Sequence, residues 1–214
     1  EHLEKYPVEN TIKKYYPEAK IVSLNQLSRG QACSCEIGLE DEDLDAPLMI
    51  ASCDNGMLWR KKELDELLEQ RDVDVIVWSF RGHSASAVNP QMYGWIKADA
   101  AGHVSGVSVK VPISADPIKD HAVTGAFYFR RSRYFLEALQ SLYQKNITVN
   151  GEFYVDSCID ECVKLKKKVK VLETTHYIGW GTPNELKTYE YWQKFFDQCA
   201  WQSYEKRLDW SFNK

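Results

Sequence analysis

The sequence lacks an unbroken hydrophobic run, an excess of positive charge and a dense set of cysteines. No segment approaches the roughly 20 apolar residues that cross a bilayer as a helix, and residues 1–4 do not have the composition of a signal peptide. Across 214 residues, 27 Lys and Arg face 31 Asp and Glu, a net charge of -4, which is not typical of nucleic-acid-binding surfaces. We therefore expect a cytoplasmic, soluble protein that binds neither membranes nor nucleic acids.

The six cysteines are too few for the disulfide framework of a small secreted domain. Cys33, Cys35 and Cys53 lie in or beside predicted regular structure, as buried thiols in a reducing compartment do. Cys158 and Cys162 are spaced so that one helix face could carry both, but no nearby His pair or second Cys pair completes a zinc site. We therefore predict no zinc site.

Hydrophobic patterning predicts strands that alternate with helices in a single domain, residues 1–214. β-Branched and aromatic runs between turn-forming residues predict the strands, and apolar residues at helical spacing predict the helices. The predicted strands lie near residues 20–24, 48–53, 73–80 and 121–129. The predicted helices lie near residues 31–39, 58–70 and 132–144, with a last one after Pro183. This order predicts an α/β fold with a mixed, mainly parallel central sheet and helices on both faces.

Two segments depart from that alternation. Residues 93–98 and 103–110 flank the turn-forming residues 99–102, which predicts an antiparallel hairpin over one side of a cleft. The last helix is rich in aromatic side chains, which pack against the body of a protein more often than they bind a ligand. The alternative is a homodimer surface. These aromatic residues are Tyr189, Tyr191, Trp192, Phe195, Phe196, Trp201 and Tyr204.

The most informative feature is a short apolar run that ends in Asp54, Asn55 and Gly56. Open α/β sheets present groups to ligands at the carboxyl ends of buried strands, so Asp54 is a candidate metal ligand. The same three residues also favour a plain turn that closes a strand. These residues alone leave both interpretations open.

Six short motifs follow one another over nearly the whole chain, from about residue 20 to residue 186. They are Gly30-Gln31-Ala32, Cys53-Asp54-Asn55, Tyr93-Gly94, residues 122–125, residues 151–156 and residues 179–183. Their order and spacing resemble the sugar-nucleotide pyrophosphorylases. Members of this family are nucleotidyltransferases that join a sugar 1-phosphate to a nucleoside triphosphate and release pyrophosphate.

The resemblance implies a site that neutralises phosphate charge. Transfer to the α-phosphorus of a nucleotide needs Mg²⁺, a carboxylate that holds it and a cation near the phosphates. The resemblance assigns Mg²⁺ binding to Asp54 and phosphate contact to Lys110. Its candidate substrate-binding residues are Asn25, Gln26 and Gly30 at the base and Gly94, Thr124, Gly125 and Glu152 at the sugar. Asn55 and Tyr93, which belong to the motifs around Asp54 and Gly94, are also candidates.

Three of these residues also have ordinary structural interpretations. Lys110 fits an exposed strand lysine and Gly94 fits a strand start. Glu152 fits a first-turn acid that the helix dipole favours.

The sequence departs from the family pattern in three places. The glycine-rich loop that holds the triphosphate is absent, so we expect the chain to be N-terminally incomplete. The family commonly has a second magnesium-binding Asp at the position that Gly179 occupies here. Three alternatives follow: Glu173 or His176 replaces that ligand, water completes the coordination of the metal, or the metal site is weaker. Val109 stands where a Glu usually precedes the family lysine.

The leading hypothesis is a sugar-phosphate nucleotidyltransferase that makes precursors for surface polysaccharide. One alternative is a glycosyltransferase of similar fold, in which Asp54 holds the metal of an already activated nucleotide sugar. The other alternative is a noncatalytic sugar- or nucleotide-binding domain, because the triphosphate loop and the acid expected at Gly179 are both missing.

Overall fold

The computed structural model describes residues 2–201 and 205. The helices are α1 (His2–Lys5), α2 (Val8–Tyr15), α3 (Gln31–Gly38), α4 (Lys61–Glu69), α5 (Ser84–Val88), α6 (Ser132–Lys145), α7 (Val155–Lys164) and α8 (Pro183–Gln198). The strands are β1 (Leu48–Ala51), β2 (Asn55–Leu58), β3 (Val75–Phe80), β4 (Gly94–Ala98), β5 (Val104–Val109), β6 (His121–Phe129), β7 (Val169–Glu173) and β8 (His176–Gly179). Within the described part of the chain, no helix is both long and apolar enough to cross a bilayer.

A six-stranded sheet forms the centre of the molecule. Five strands lie in the order β5-β4-β6-β3-β7, and β1 pairs with β6 beside them. β3 and β7 are parallel, whereas β6 is antiparallel to β1, β3 and β4, and β4 is antiparallel to β5. β2 and β8 form a separate two-stranded antiparallel sheet.

The predicted α/β class with a mixed sheet and flanking helices is confirmed. Parallel pairing is less extensive than the expected mainly parallel sheet, because β6 lies between strands that run in one common direction. Each neighbour of β6 is therefore antiparallel to it, although β1, β3, β4 and β7 all point the same way. The predicted hairpin is also confirmed as β4 and β5.

Helices cover both faces of the central sheet, as the burial of β3 on both sides shows. Its six residues are all buried, and alternate side chains point to opposite faces. Val75 and Val77 pack in the core that includes side chains of α3, α6 and α7. Ile76 and Trp78 pack in the second core, against leucines of α4.

Two predicted elements differ in the structure. Residues 20–24 form no strand, and Val22 and Leu24 are more than 40% exposed. No strand of the described residues pairs with this segment, so its extended backbone would lack hydrogen bonds from a neighbour. The helix predicted over residues 58–70 begins at Lys61, because Leu58 is the last residue of β2 and pairs with His176.

The last helix is present, but its aromatic side chains are only partly packed. Tyr191, Trp192, Phe195 and Phe196 are between 37% and 60% exposed and contact one another edge-on or at a tilt. The expected packing against the protein body is therefore incomplete for these four residues. Tyr204 lies outside the described residues.

Two strands share one edge of β6 and leave a gap between them. β1 pairs with residues 126–129, and β4 pairs with residues 121–122. Opposite this gap the β3–β6 register shifts, so that Trp78 alone lies opposite three residues of β6, 124–126. Such a bulge leaves residues unpaired and redirects the strand. Gly125 lies in this bulge with φ +89°. The carboxyl end of β1 lies beside the same bulge.

Replacement of Gly125 tests the conformation of this bulge. A Cβ at Gly125 would lie 3.0 Å from Ser52 Cβ and require a positive φ, so we expect Gly125→Ala to lower the free energy of unfolding by about 1–2 kcal/mol. The matched control is Gly38→Ala, since a Cβ at Gly38 would meet no atom within 4 Å. Urea denaturation measures both; equal effects would contradict this role of Gly125.

Candidate functional site

A cleft of about 490 Å³ lies at the gap between β1 and β4. Its floor includes residues 123–125 of β6, and its walls come from the β1–β2 loop, the start of β4, the end of β5, the start of α7 and the start of α8. The predicted site residues that line it are Asp54, Asn55, Tyr93, Gly94, Lys110, Thr124 and Gly125. Residues far apart in sequence therefore meet in one cavity.

Asp54 lies in the bend between β1 and β2, so the turn and the ligand-binding interpretations describe the same residue. Its Oδ1 accepts hydrogen bonds from the Ser52 hydroxyl and from Asn55 Nδ2. The Asn55 amide also donates to the carbonyl of Thr124 at 2.8 Å, and Ser52 N donates to the carbonyl of Gly125 at 2.9 Å. Carbonyls left unpaired by the gap thus anchor the loop that carries the carboxylate.

Trp180 holds the other side of this loop. Its backbone N–H donates to the carbonyl of Asp54 at 3.0 Å, and its indole N–H donates to the carbonyl of Cys53 at 3.2 Å. The indole lies over Gly56, where a Cβ would lie 2.7 Å from the ring. Gly56 is therefore required for close packing, and Asp54 is positioned from both sides.

Lys110 follows β5 in a left-handed backbone conformation with φ +59°. Its N–H donates to the carbonyl of Tyr93 at 3.0 Å, which fixes the turn beside the start of β4. Its Nζ lies 5.2 Å from the centroid of the Tyr154 ring, a cation–π distance. Lys110 and Tyr154 both line the cleft.

Asp156, in the first turn of α7, is a cleft residue that sequence reasoning missed. A Cβ on Gly94 would overlap its Oδ2, so Gly94 is required to make room for this carboxylate. Burial raises the pKa of Asp156 to about 6, although the charge of Lys110 and the residue's own N–H act in the opposite direction. The charge of Lys110 thus acts on the Asp156 carboxyl within the wall formed by the hairpin and α7.

Glu185 is the second cleft carboxylate that sequence reasoning missed. It lies at the third position of α8, where Thr182 and Glu185 form a capping box. Burial raises the pKa of the Tyr177 phenol, and the charges of Asp54 and Glu185 raise it further. Tyr177 is stacked on Phe80 with ring centroids 4.0 Å apart, so aromatic side chains flank the acidic side of the cleft.

Four predicted substrate-binding residues lie outside the cleft lining. Asn25 and Gln26 form an exposed bend. Glu152 is exposed, and its hydrogen bond to Tyr154 raises the pKa of that phenol in addition to the effect of burial. A Cβ on Gly30 would lie 2.6 Å from the carbonyl oxygen of Phe153. The backbone of Gly30 therefore packs closely against the backbone of Phe153. Their substrate contacts stay predictions.

The local sequence contained weak signals for the two missed acids. Asp156 ends the 151–156 motif, but Glu152 in the same motif drew the assignment. Glu185 follows Thr182 by three residues, which is the pattern of a capping box. A capping role accounts for a Glu at this position, so nothing in the local sequence connects Glu185 with the distant Asp54.

The acidic side of the cleft suits a hard divalent cation. Carboxylate oxygens are the ligands that Mg²⁺ prefers, and it is normally held by one or two carboxylates together with water and substrate phosphates. Among residues 2–201 and 205, no hydrogen-bond donor contacts Asp54 Oδ2, and a Cβ on Gly181 would lie 3.0 Å from this oxygen. No group of three or more His, Cys, Asp or Glu assembles a metal cage in the described residues. The residues present fit a magnesium site completed by substrate.

No protein-family model and no curated protein matches the sequence. Solved structures do share its fold. The nucleoside-diphosphate-sugar pyrophosphorylase of Vibrio cholerae RC9 is 18% identical with a TM-score of 0.65, over 86% of this chain and 76% of that chain. A protein assigned as a glucose-1-phosphate thymidylyltransferase of Bacillus anthracis, in complex with sucrose, is 14% identical with a TM-score of 0.60, over 85% and 69%.

A third neighbour is a CMP:2-keto-3-deoxy-manno-octonic acid synthetase in complex with CTP. It is 13% identical with a TM-score of 0.58, over 88% of this chain and 77% of that chain. The chain therefore has the nucleotidyltransferase-like fold, which confirms the resemblance at the level of fold. At these identities the likeness is one of architecture.

The raised pKa of Asp156 predicts pH-dependent stability. Its carboxyl binds a proton more tightly when folded than at its ordinary value of 3.8, so this contribution is complete below about pH 4 and is lost as the pH rises to about 6. We expect Asp156→Asn, which does not titrate, to gain stability relative to the parent over that interval, by at most about 2–3 kcal/mol. Urea denaturation between about pH 4 and pH 7 measures the difference.

Glu152→Gln is the control for this pH series, because Glu152 is exposed outside the cleft. A stability difference between Asp156→Asn and the parent that stays constant with pH would contradict burial of the charge.

Proposed function

We propose that this protein is a Mg²⁺-dependent nucleotidyltransferase that joins a sugar 1-phosphate, or a similar phosphorylated compound, to a nucleoside triphosphate with release of pyrophosphate. The observation that carries the proposal is the placement of Asp54 and Lys110 in one cleft, on the two sides of the gap between β1 and β4. The fold shared with the sugar nucleotidyltransferases supports this general kind of reaction. Synthesis of surface polysaccharide precursors remains part of the proposal.

The acidic side of the cleft would hold the metal. Mg²⁺ bound through Asp54 would supply neutralisation of phosphate charge and a fixed orientation of the phosphates. Ser52 and Asn55 already hydrogen-bond to the carboxylate, and Trp180 fixes the backbone of its loop. This positioning reduces the reorganisation needed when the site binds a charged group.

The opposite side would bind the phosphorylated acceptor. The ammonium of Lys110 would neutralise charge on the acceptor phosphate, whose oxygen attacks the α-phosphorus while pyrophosphate leaves. Asp156 lies beside Lys110 and has carboxylate oxygens that accept hydrogen bonds from hydroxyl groups, which suits a polyol substrate. We therefore assign to Asp156 the sugar-binding role that the family resemblance gave to Glu152.

A pyrophosphate-release assay tests the reaction directly. The protein expressed from its complete reading frame is incubated with Mg²⁺, each of the four common nucleoside triphosphates and a panel of sugar 1-phosphates. We expect release with one nucleotide and one acceptor, and we expect Asp54→Asn to lower kcat/KM by at least about a hundredfold. Asp65→Asn is the control, because Asp65 is a surface residue of α4.

The same assay separates the alternatives. A glycosyltransferase would release a nucleoside diphosphate from a nucleotide sugar and no pyrophosphate. A noncatalytic domain would bind a sugar or nucleotide without turnover. Either result would contradict the proposed reaction.

Lys110 provides a second test, on the phosphate-binding side of the cleft. Removal of one preorganised group that stabilises developing charge costs about a hundredfold or more, so we expect Lys110→Gln to lower kcat/KM to that extent. Lys97→Gln is the matched control, because Lys97 is an exposed lysine of β4 in the same hairpin. Equal activity of the Lys110 variant and the control would remove Lys110 from the proposed machinery.

A further inference from the structure

Two carboxylates lie against the backbone from Gly179 to Gly181, each where the Cβ of a non-glycine residue would point. A Cβ on Gly179 would lie 3.1 Å from Glu185 Oε1, and a Cβ on Gly181 would lie 3.0 Å from Asp54 Oδ2. Gly179 also pairs in register with Asn55, the residue after Asp54. The carboxylate of Glu185 therefore occupies the space that a side chain at position 179 would enter.

The capping box holds Glu185 in a defined orientation. Its Oε2 accepts a hydrogen bond from the Thr182 N–H at 2.9 Å, and its own N–H donates to the Thr182 hydroxyl at 3.3 Å. Within the described part of the chain, no donor contacts Oε1. One oxygen is thus committed to the helix start, and the other is available to a ligand in the cleft.

The two carboxylates act on one common neighbour. The charges of Asp54 and Glu185 both raise the pKa of the Tyr177 phenol, and all three residues line the same cleft. A divalent cation bound in this cleft would be coordinated by carboxylate oxygens.

The other acids and bases near Gly179 have different surroundings. Glu173 accepts hydrogen bonds of 2.9 and 2.6 Å from Arg81, which lower the pKa of its carboxyl. His176 is exposed in β8, and its ring contacts the Thr175 hydroxyl. Neither residue lines the cleft.

We infer that Glu185 supplies the second carboxylate of the Mg²⁺ site, in place of a side chain at position 179. The inference rests on the proposed function for the identity of the metal. One oxygen of Asp54 and Oε1 of Glu185 are its protein ligands, and phosphate oxygens and water fill the remaining positions. Glu185 thus has two roles, since it caps α8 and binds the metal.

Binding of Mn²⁺ alone to the full chain tests this assignment without reference to activity. Free Mn²⁺ is followed by electron paramagnetic resonance up to ~10 mM metal, a range that includes weak two-carboxylate sites. Glu185→Gln is the decisive variant, because Gln also completes a capping box and the helix start is kept. We expect Glu185→Gln and Asp54→Asn each to weaken binding roughly tenfold or more. Glu190→Gln, an exposed change on the same helix, leaves it unchanged.

A carboxylate moved to position 179 provides the rescue. We expect Glu185→Ala alone to bind Mn²⁺ weakly, and the double variant Glu185→Ala, Gly179→Asp to recover affinity to within about threefold of the parent. Parent-like binding by Glu185→Gln, or no binding by the parent chain, would overturn the assignment.

Two result patterns separate this inference from the proposed function. Pyrophosphate release together with parent-like Mn²⁺ binding by Glu185→Gln would remove only the role of Glu185. Glu185-dependent binding of Mn²⁺ in a protein that releases no pyrophosphate with any substrate pair would support the metal site and reject the reaction.

Discussion

The pairing of β6 with two strands along a single edge determines where this protein can bind a ligand. β1 pairs with residues 126–129 of β6 and β4 with residues 121–122, so on this edge no strand among the described residues pairs with Thr124 or Gly125. Their carbonyls accept hydrogen bonds from Asn55 and Ser52 instead. Unpaired backbone groups would otherwise be costly in a buried sheet. The same contacts place Asp54 at the gap. The hydrogen bonds that satisfy the sheet's carbonyls therefore also position the carboxylate.

Charged side chains line the cleft around this gap. Asp54 follows β1, Lys110 lies beside the start of β4, and Asp156 and Glu185 come from the first turns of α7 and α8. Glycines make room for two of the carboxylates, since a Cβ at Gly94 would collide with Asp156 and a Cβ at Gly181 would crowd Asp54. Such an arrangement suits the transfer of a charged group between two phosphates, because opposite ends of the reacting system meet groups already in position.

The sequence predicted those parts whose signals are local. The buried strand β6 and the hairpin of β4 and β5 have clear hydrophobic patterns. The family resemblance predicted that Asp54, Lys110 and Gly94 belong to one site, and all three line one cleft. The small β2–β8 sheet was missed because its strands are four residues long and pair across more than a hundred residues. Glu185 and Asp156 were missed for a related reason: each looks like an ordinary first-turn acid until tertiary structure places it in the cleft.

The most direct test of the account is nuclear magnetic resonance of the isotope-labelled protein during a titration with Mn²⁺ and a nucleoside triphosphate. A paramagnetic ion broadens the amide signals nearest to it. The account predicts early loss of signals from residues 53–55, Gly125 and residues 181–182, while signals from α6 remain sharp. Broadening elsewhere, with sharp signals throughout the cleft, would show that the gap between β1 and β4 is not the metal and phosphate site.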